Sequence, residues 1–212
     1  MSKLKIKELA QTLEIPYLLH FTRIINLPSI LEYGLYPISR AHEIQLEPEI
    51  NDPLRLDGHP DSVSLSIGWP NCQMFYKYRM VDQKVEWVVI AINPSVLWTK
   101  NCAFCKYNAA DSRVSCLDIE SLMNKKAFNE MFKDNAENPS RVKQKLKTYD
   151  PTDVQAEVLV FDVIEPELII GVVFNTNQSK NGYTQFANKK QRHIVNPGNR
   201  GFFGSRSYSR EF

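Results

Sequence analysis

One stretch decides the fold, Tyr149-Asp-Pro-Thr-Asp-Val-Gln-Ala-Glu-Val-Leu-Val-Phe161, and it predicts a loop that opens directly into a β-strand. The apolar residues from Gln155 onward alternate, so that Glu157 shares a mainly apolar face with every second residue of the strand. A carboxylate on such a face costs free energy unless it is paired, hydrogen-bonded or directed into a cleft. Glu157 is therefore a candidate functional residue, although a strand-end glutamate that simply reaches water fits the pattern equally well. The opposite face is formed by Ala156, Val158 and Val160.

The composition is typical of a globular protein. The 212 residues are 43% hydrophobic and 24% charged, which favours one domain spanning residues 1–212. No apolar run reaches the roughly 20 residues that cross a bilayer, and the first ten residues lack the apolar core of a signal peptide. We therefore expect a cytoplasmic protein without a membrane partner.

The charge is unevenly distributed along the chain. The net charge is +2, yet seven basic residues and one acidic residue lie between Lys180 and the C-terminus. Aromatic residues are interleaved with them, which is a composition that proteins use on single-stranded nucleic acid. A solvated basic terminus is the alternative interpretation.

Short apolar runs predict further strands at residues 17–22, 63–67, 86–92 and 168–174. The run at 86–92 is almost wholly apolar, which indicates a central strand. We expect 168–174 to lie near the Glu157 strand. Because the strands do not alternate regularly with helices, the pattern predicts an α+β fold with central mixed or antiparallel β-sheets and peripheral helices.

Helical spacing is found in residues 1–14 and 118–133, and in a short helix that begins at Asn26 as its N-cap and ends at Gly34. Residues 140–147 predict a basic helix or turn.

Two other segments are candidates for binding. Residues 36–62 form a long irregular segment around Arg55, and loops of this length tend to be functional, although a surface arginine is the simpler interpretation. Residues 72–79 combine aromatic, methionine and basic side chains as a nucleic-acid groove does, and core packing explains that composition equally well.

The cysteines give little support to a metal site. Cys102 and Cys105 have the spacing of half a zinc site, but a structural zinc site usually has two such pairs and this chain has one. We therefore predict no metal. A non-catalytic nucleic-acid-binding module with a cysteine-bound zinc remains the alternative from another functional class.

Three separated pieces of the sequence resemble the DarT toxins, a family of DNA ADP-ribosyltransferases. Leu19-His-Phe-Thr22, followed by Asn26-Leu-Pro-Ser-Ile-Leu31 and Gly34-Leu35, resembles the N-terminal signature of that family. The block Gln155-Ala-Glu-Val-Leu-Val160 is similar to its catalytic glutamate strand. Met74 resembles its conserved methionine before a tyrosine, and Arg55 falls where the family carries its second essential residue.

The resemblance implies an ADP-ribosyltransferase-like fold and a toxin that transfers ADP-ribose from NAD, as a substrate, to a base of single-stranded DNA. It implies catalytic roles for Glu157 and Arg55, and a macrodomain antitoxin as a partner. The implied NAD-binding residues are His20, Phe21, Thr22, Asn26, Leu35 and Arg55. The implied DNA-binding residues are Met74, Tyr76, Lys77, Tyr149, Asp153 and Gln155.

This chain departs from the family pattern at two places beside the implied acceptor pocket. Asp153 and Val154 stand where family members have basic residues, and the strand at 63–67 replaces an aromatic, proline-rich one. The acceptor base is therefore left open between thymine and guanine. An RNA or protein acceptor is the alternative within the same chemistry.

Overall fold

The computed structural model describes residues 2–45, 47–50, 56–186, 192–196 and 200–211. The β-strands within them are β1 (Leu18–Arg23), β2 (Val63–Ile67), β3 (Trp87–Ile92), β4 (Cys102–Cys105), β5 (Glu157–Val160), β6 (Ile169–Phe174) and β7 (Arg192–Val195). These strands form one sheet in the order β4-β5-β2-β1-β3-β6-β7. Neighbouring strands are antiparallel, apart from the parallel pair β6 and β7. The predicted α+β class with a mixed central sheet is confirmed.

Helices lie around this sheet. Their bounds are α1 (Ser2–Thr12), α2 (Leu27–Tyr33), α3 (Cys72–Val81), α4 (Val96–Thr99), α5 (Ser112–Ser115), α6 (Lys125–Glu130), α7 (Asn177–Tyr183) and α8 (Arg206–Glu211). The larger core joins α1, α2 and α6 to one face of the sheet. Two smaller apolar clusters are separate from it: one joins Phe75 of α3 to β1, β3 and β6, and the other joins Leu159 of β5 to β4. No helix of the described ranges is long and apolar enough to cross a membrane.

The sheet opens between β1 and β2. The ladder of these strands joins Leu18 to Ile67 and Leu19 to Ser66. Beyond Leu19, β1 continues along β3 as far as Arg23, whereas the earlier residues of β2 pair with β5. The two halves of the sheet therefore diverge from Leu19 onward, which leaves a gap between them.

The alternation predicted around Glu157 is confirmed. Ala156, Val158 and Val160 belong to the larger core, while Leu159 belongs to a separate cluster with β4. These two apolar clusters cover the two faces of β5, all of its residues are buried, and Glu157 is only 6% exposed.

The prediction that residues 168–174 lie near the Glu157 strand is wrong. β2, β1 and β3 separate β5 from β6 in the sheet. β6 pairs instead with β3 and β7, because a short apolar run specifies burial but not which strands it pairs with. The predicted central position of residues 86–92 is confirmed, since β3 lies between β1 and β6.

Residues 118–133 do not form the single helix that we predicted. A 3-10 turn at Ile119–Leu122 is followed by α6, and Asn124 separates the two. The Asn124 side chain accepts hydrogen bonds from two backbone N–H groups of α6 and so begins a new helix. Residues 140–147 form turns, the segment at 72–79 is helical, and a 3-10 helix at Ile38–Ile44 interrupts the segment that we expected to be irregular.

Gly34 ends α2 as predicted. Its φ of +97° favours glycine, and a Cβ there would lie 2.3 Å from the backbone oxygen of Ile164. This close approach allows the next residue, Leu35, to form a β-bridge with Ile164.

Arginines from two distant segments hold the loop ahead of β5. Arg210 donates two hydrogen bonds to the carboxylate of Asp150, at 2.7 and 2.8 Å. Asp150 is fully buried and the Arg210 side chain is 10% exposed. Arg206 donates to the carbonyl oxygens of Pro151 and Thr152. Arg141 donates to the carbonyl oxygens of Lys147 and Asp150 and to the hydroxyl of Thr152.

These contacts correct our interpretation of two residues in the basic C-terminal segment, whereas Arg192 and Arg200 are exposed. Arg206 and Arg210 face the loop ahead of β5, where neither a polyanion nor bulk solvent meets them. Charge counted along a sequence cannot distinguish such internal partners from external ones. Lys189 and Lys190 lie outside the described residues.

Arg210→Ala is expected to destabilise the protein by about 3–5 kcal/mol, because it leaves a buried carboxylate without its counterion. Chemical denaturation measures this free energy of unfolding. The matched control is Arg40→Ala, which removes a well-exposed pair with Glu43 and is expected to cost much less, because solvent screens an exposed pair. Equal losses in the two variants would contradict the structural role of Arg210.

Candidate active site

A deep cleft lies where β1 and β2 diverge. Its cavity volume is about 190 Å³, and the cleft is partly open to solvent. Its walls come from β1, α2, the 3-10 helix Ile38–Ile44, residues 48–50, β2, α3, the residues after β4 and the start of β5. The cleft is therefore lined by both halves of the divided sheet.

His20 lies where the two halves of the sheet separate. Its Nδ1 is 3.0 Å from the carbonyl oxygen of Ser64 on β2. Because a carbonyl oxygen only accepts, Nδ1 carries a proton, and when the ring is neutral Nε2 is its acceptor. The hydrogen bond fixes both the ring orientation and its tautomer.

Asn26 fastens residues 47–50 to β1. Its Nδ2 donates to Thr22 Oγ1 at 3.0 Å and to the Glu49 carbonyl oxygen at 2.9 Å, and its Oδ1 accepts from the Glu49 backbone N–H at 3.0 Å. Asn26 occupies the N-cap position of α2 as predicted, but its side chain makes no capping bond to that helix. Through these three hydrogen bonds, the Asn26 amide holds this wall of the cleft in place.

Glu157 lies at the opposite side of the gap and is held through both oxygens. Asn108 Nδ2 donates to Oε1 at 3.0 Å, and the Ala109 backbone N–H donates to Oε2 at 3.1 Å. Hydrogen bonds from N–H groups favour the ionised form of a carboxylate. The carboxylate is thus satisfied despite its burial, and it still lines the cleft.

A row of polar side chains continues from Glu157 across the floor. Extending the pairing of β2 with β5 by one residue places Ser66 opposite Glu157. Ser66 Oγ accepts from the Asn71 backbone N–H, and Asn71 Oδ1 caps α3 at Met74. The Asn71 Nδ2 is buried without a hydrogen-bond partner.

The cleft brings together many of the residues proposed from the sequence. Its lining includes His20, Phe21, Thr22, Asn26, Leu35, Met74 and Glu157. Arg55 lies outside the described residues. Tyr76 and Lys77 are exposed on α3, beyond the cleft lining.

The residues ahead of Glu157 also lie beyond the cleft lining. Tyr149 packs beside Gly68 and beneath the Arg210 guanidinium. The Asp153 carboxylate accepts from the Gln155 backbone N–H and from Asn138 Nδ2. Tyr149, Asp153 and Gln155 together form a rim between the arginine-held loop and Glu157.

The sequence did not reveal Asn108, Ser66 or Asn71. Asn108 lies 49 positions from Glu157, and no local pattern links the two. Asn71 gave one usable signal, since an asparagine directly before a helical segment indicates an N-cap.

Cys102 and Cys105 cannot bind one metal ion together. They lie three residues apart on β4, so their side chains point to opposite faces, and they belong to different apolar clusters. Burial raises the pKa of both thiols to about 12, and the carboxylates of Glu157 and Asp57 contribute at Cys105. No group of three or more potential metal ligands is found in the part of the chain that the structure describes.

The sequence profile of one family matches most of the chain. That family is DarT, described as ssDNA thymidine ADP-ribosyltransferase, and the match covers residues 19–202. No curated protein matches the sequence at a significant level.

Solved structures of this family share the fold. Thermosipho africanus DarTG in complex with ADP-ribose is 17% identical, with a TM-score of 0.59, over 88% of this chain and 50% of that chain. Thermus sp. 2.9 DarT in complex with NAD+ is 14% identical, with a TM-score of 0.52, over 86% and 96% of the two chains. The same Thermus protein in complex with ADP-ribosylated ssDNA gives a TM-score of 0.52 at 14% identity, over 85% and 94%. The chain thus spans half of the Thermosipho protein and nearly all of the Thermus one.

The buried thiols predict how stability depends on pH. Their folded pKa of about 12 exceeds the ordinary value of 9.0, so the folded state retains these protons while the unfolded state loses them. The free energy of unfolding therefore falls as pH rises from about 9 to 12, by up to about 1.4 kcal/mol per pH unit for each thiol. Denaturation at several pH values measures this slope. Cys102→Ala should flatten it and Cys116→Ala, at an exposed cysteine, should not; identical slopes in both variants would refute the assignment.

Proposed function

Because the chain belongs to the DarT family, described as ssDNA thymidine ADP-ribosyltransferases, we propose that it transfers ADP-ribose from NAD to thymine in single-stranded DNA. The observation that carries the proposal is the buried Glu157 carboxylate, held at the cleft on a strand that matches the family's glutamate strand. The family description favours thymine over guanine. We further propose that residues 1–212 form one domain.

The reaction exchanges one glycosidic bond for another. The bond between the nicotinamide nitrogen and ribose C1′ breaks, and its electron pair leaves with neutral nicotinamide. A base nitrogen bonds to C1′ and loses its proton. No redox step or metal is needed to balance this exchange.

Glu157 stabilises the charge that develops in this reaction. As the nicotinamide leaves, the ribose acquires oxocarbenium character, and a fixed carboxylate beside it favours the transition state over the ground state. The carboxylate also accepts a hydrogen bond from a ribose hydroxyl, and it can take the proton of the attacking base. General-base assistance of this kind contributes about 10²- to 10⁴-fold.

The residues of β1 and α2 orient NAD. His20, with its tautomer fixed by Ser64, presents Nε2 as an acceptor for a ribose hydroxyl. Thr22 Oγ1 accepts a hydrogen bond from Asn26 Nδ2, so the Thr22 hydroxyl proton is left to donate to NAD. Phe21 and Leu35 supply apolar wall, and Arg55 pairs with the pyrophosphate or the acceptor as a planar fork.

Single-stranded DNA enters along α3 and the rim. Met74 lies in the cleft, and Tyr76 and Lys77 continue outward on the same helix, where an aromatic ring and a cation suit a base and a phosphate. Tyr149, Asp153 and Gln155 border the acceptor base. An unpaired strand avoids the cost of extruding a base from a duplex.

The proposal includes a partner. A protein named DarTG shares this fold, and a toxin that marks DNA requires an enzyme that removes the mark. We propose a macrodomain antitoxin in that role, and the cytoplasm as the compartment where NAD and DNA are both present.

Glu157→Gln is expected to lower transfer by at least about 10²-fold while leaving the fold intact, because it removes the charge with little change in volume. The assay incubates the protein with NAD and single-stranded homopolymers of each base, of DNA and of RNA, and measures oligonucleotide mass. Wild type should add one ADP-ribose to thymine-containing DNA. The matched control is Glu167→Gln, an exposed glutamate remote from the cleft, which should retain full transfer. Undiminished transfer by Glu157→Gln would refute the mechanism, and transfer to RNA or protein alone would refute the acceptor.

Asn26→Ala is expected to raise the KM for NAD by up to about 10²-fold, because it removes the three hydrogen bonds through which Asn26 links residues 47–50 to β1, each contributing about 1 kcal/mol. Initial rates at varied NAD concentrations measure this effect. Asn93→Ala is the control, since Asn93 Oδ1 accepts from the nearby Ser95 backbone N–H and Asn93 lies outside the cleft lining. An unchanged KM in Asn26→Ala would contradict the assigned role of this wall.

A further inference from the structure

The residues after β4 form a clamp on Glu157. Cys105, the last residue of β4, pairs with Glu157 in the sheet. The chain then turns and returns over the carboxylate, where Asn108 Nδ2 donates to Oε1 at 3.0 Å and the Ala109 backbone N–H donates to Oε2 at 3.1 Å. Both oxygens are therefore held by consecutive residues of one turn.

Asn108 builds the turn as well as the contact. Its Oδ1 accepts from the Ala110 backbone N–H at 3.0 Å, which is an asparagine turn of the kind that fixes local backbone. The two ends of one amide thus have separate tasks, since Oδ1 closes the turn and Nδ2 holds the carboxylate. The two tasks can be separated by substitution.

The turn is braced from outside. The Arg113 guanidinium makes two hydrogen bonds to Asp111, at 2.7 and 2.9 Å, and lies 3.7 Å from the centroid of the Tyr107 ring. The Tyr107 hydroxyl donates to Glu137 at 3.1 Å. These contacts tie both flanks of Asn108 to the surface of the protein and limit the movement of the turn.

We infer that Asn108 is a positioning residue for the reaction, acting through Glu157. A glutamate side chain has several rotatable bonds, and its conformational freedom is costly to restrict at the moment of reaction. The clamp fixes the carboxylate beforehand, and a displacement of about 1 Å in such a group costs on the order of 10²-fold in rate. This inference rests on the proposed function of Glu157 and assigns the residue that holds it.

Asn108→Asp is the decisive variant. It keeps an oxygen to accept from Ala110 and so preserves the turn, but it replaces the amide donor by an oxygen that repels the Glu157 carboxylate. We expect kcat to fall on the order of 10²-fold with little change in the KM for NAD, because the lost interaction acts in the transition state. Asn108→Ser, whose hydroxyl can close the turn but is too short to reach Glu157, should show a fall in kcat in the same direction.

The control is Asn124→Ala. Asn124 also accepts backbone hydrogen bonds at the start of a helix but lies outside the cleft lining, so it reproduces the loss of a turn or cap without touching Glu157. It should keep the wild-type kcat. Circular dichroism and denaturation of every variant establish that the fold is retained, and if Asn108→Asp does not fold, Asn108→Ser carries the test.

Each outcome decides the inference. Wild-type kcat in folded Asn108→Asp would overturn the positioning role, and so would a variant that changes only the KM, because Asn108 would then contact NAD itself. If the wild type is active and its activity requires Glu157, while Asn108→Asp keeps the wild-type kcat, the inference fails and the proposed function stands. A wild type without transfer activity, or Glu157→Gln with full activity, would remove both.

Discussion

A carboxylate buried within a β-sheet has to be satisfied by hydrogen bonds, and the rest of this site depends on how Glu157 meets that constraint. Glu157 is only 6% exposed, so contact with bulk solvent contributes little to satisfying its carboxylate. The turn after β4 supplies one N–H group to each oxygen. Because the sheet opens between β1 and β2, the same carboxylate also borders the cleft, where His20 lies at the other side of the gap. The two hydrogen bonds hold the carboxylate in place, and the divergence of the strands makes it accessible to a ligand.

The surrounding structure is rigid where the chemistry requires it. The loop ahead of β5 has its carbonyl oxygens and the Asp150 carboxylate bonded to Arg141, Arg206 and Arg210. On the other flank, Asn26 fastens the wall at residues 47–50. Two distant parts of the chain are therefore ordered around one cleft by polar contacts, while the apolar cores hold the strands. This arrangement accounts for two basic residues of the C-terminal segment, Arg206 and Arg210.

Much of the fold could be predicted from local patterns, because alternation and capping are properties of neighbouring residues. The two faces of β5, the central position of β3 and the glycine that ends α2 were all evident in the sequence. Contacts between distant residues were not. Asn108 and Glu157 are 49 positions apart and Asp150 and Arg210 are 60 apart, so neither pair leaves a local signal. The place of β6 likewise depends on which strands enclose it, and Asn26 was assigned to a cap because the pattern could not show Glu49 as its partner.

The account is tested most directly by a crystal structure of the Glu157→Gln variant with NAD, in which turnover is blocked and the bound substrate can be located. The account predicts that the nicotinamide ribose lies in the gap between β1 and β2, within hydrogen-bond distance of His20 Nε2 and of the side chain at position 157. NAD bound elsewhere, or bound in the cleft with its nicotinamide ribose remote from position 157, would contradict it.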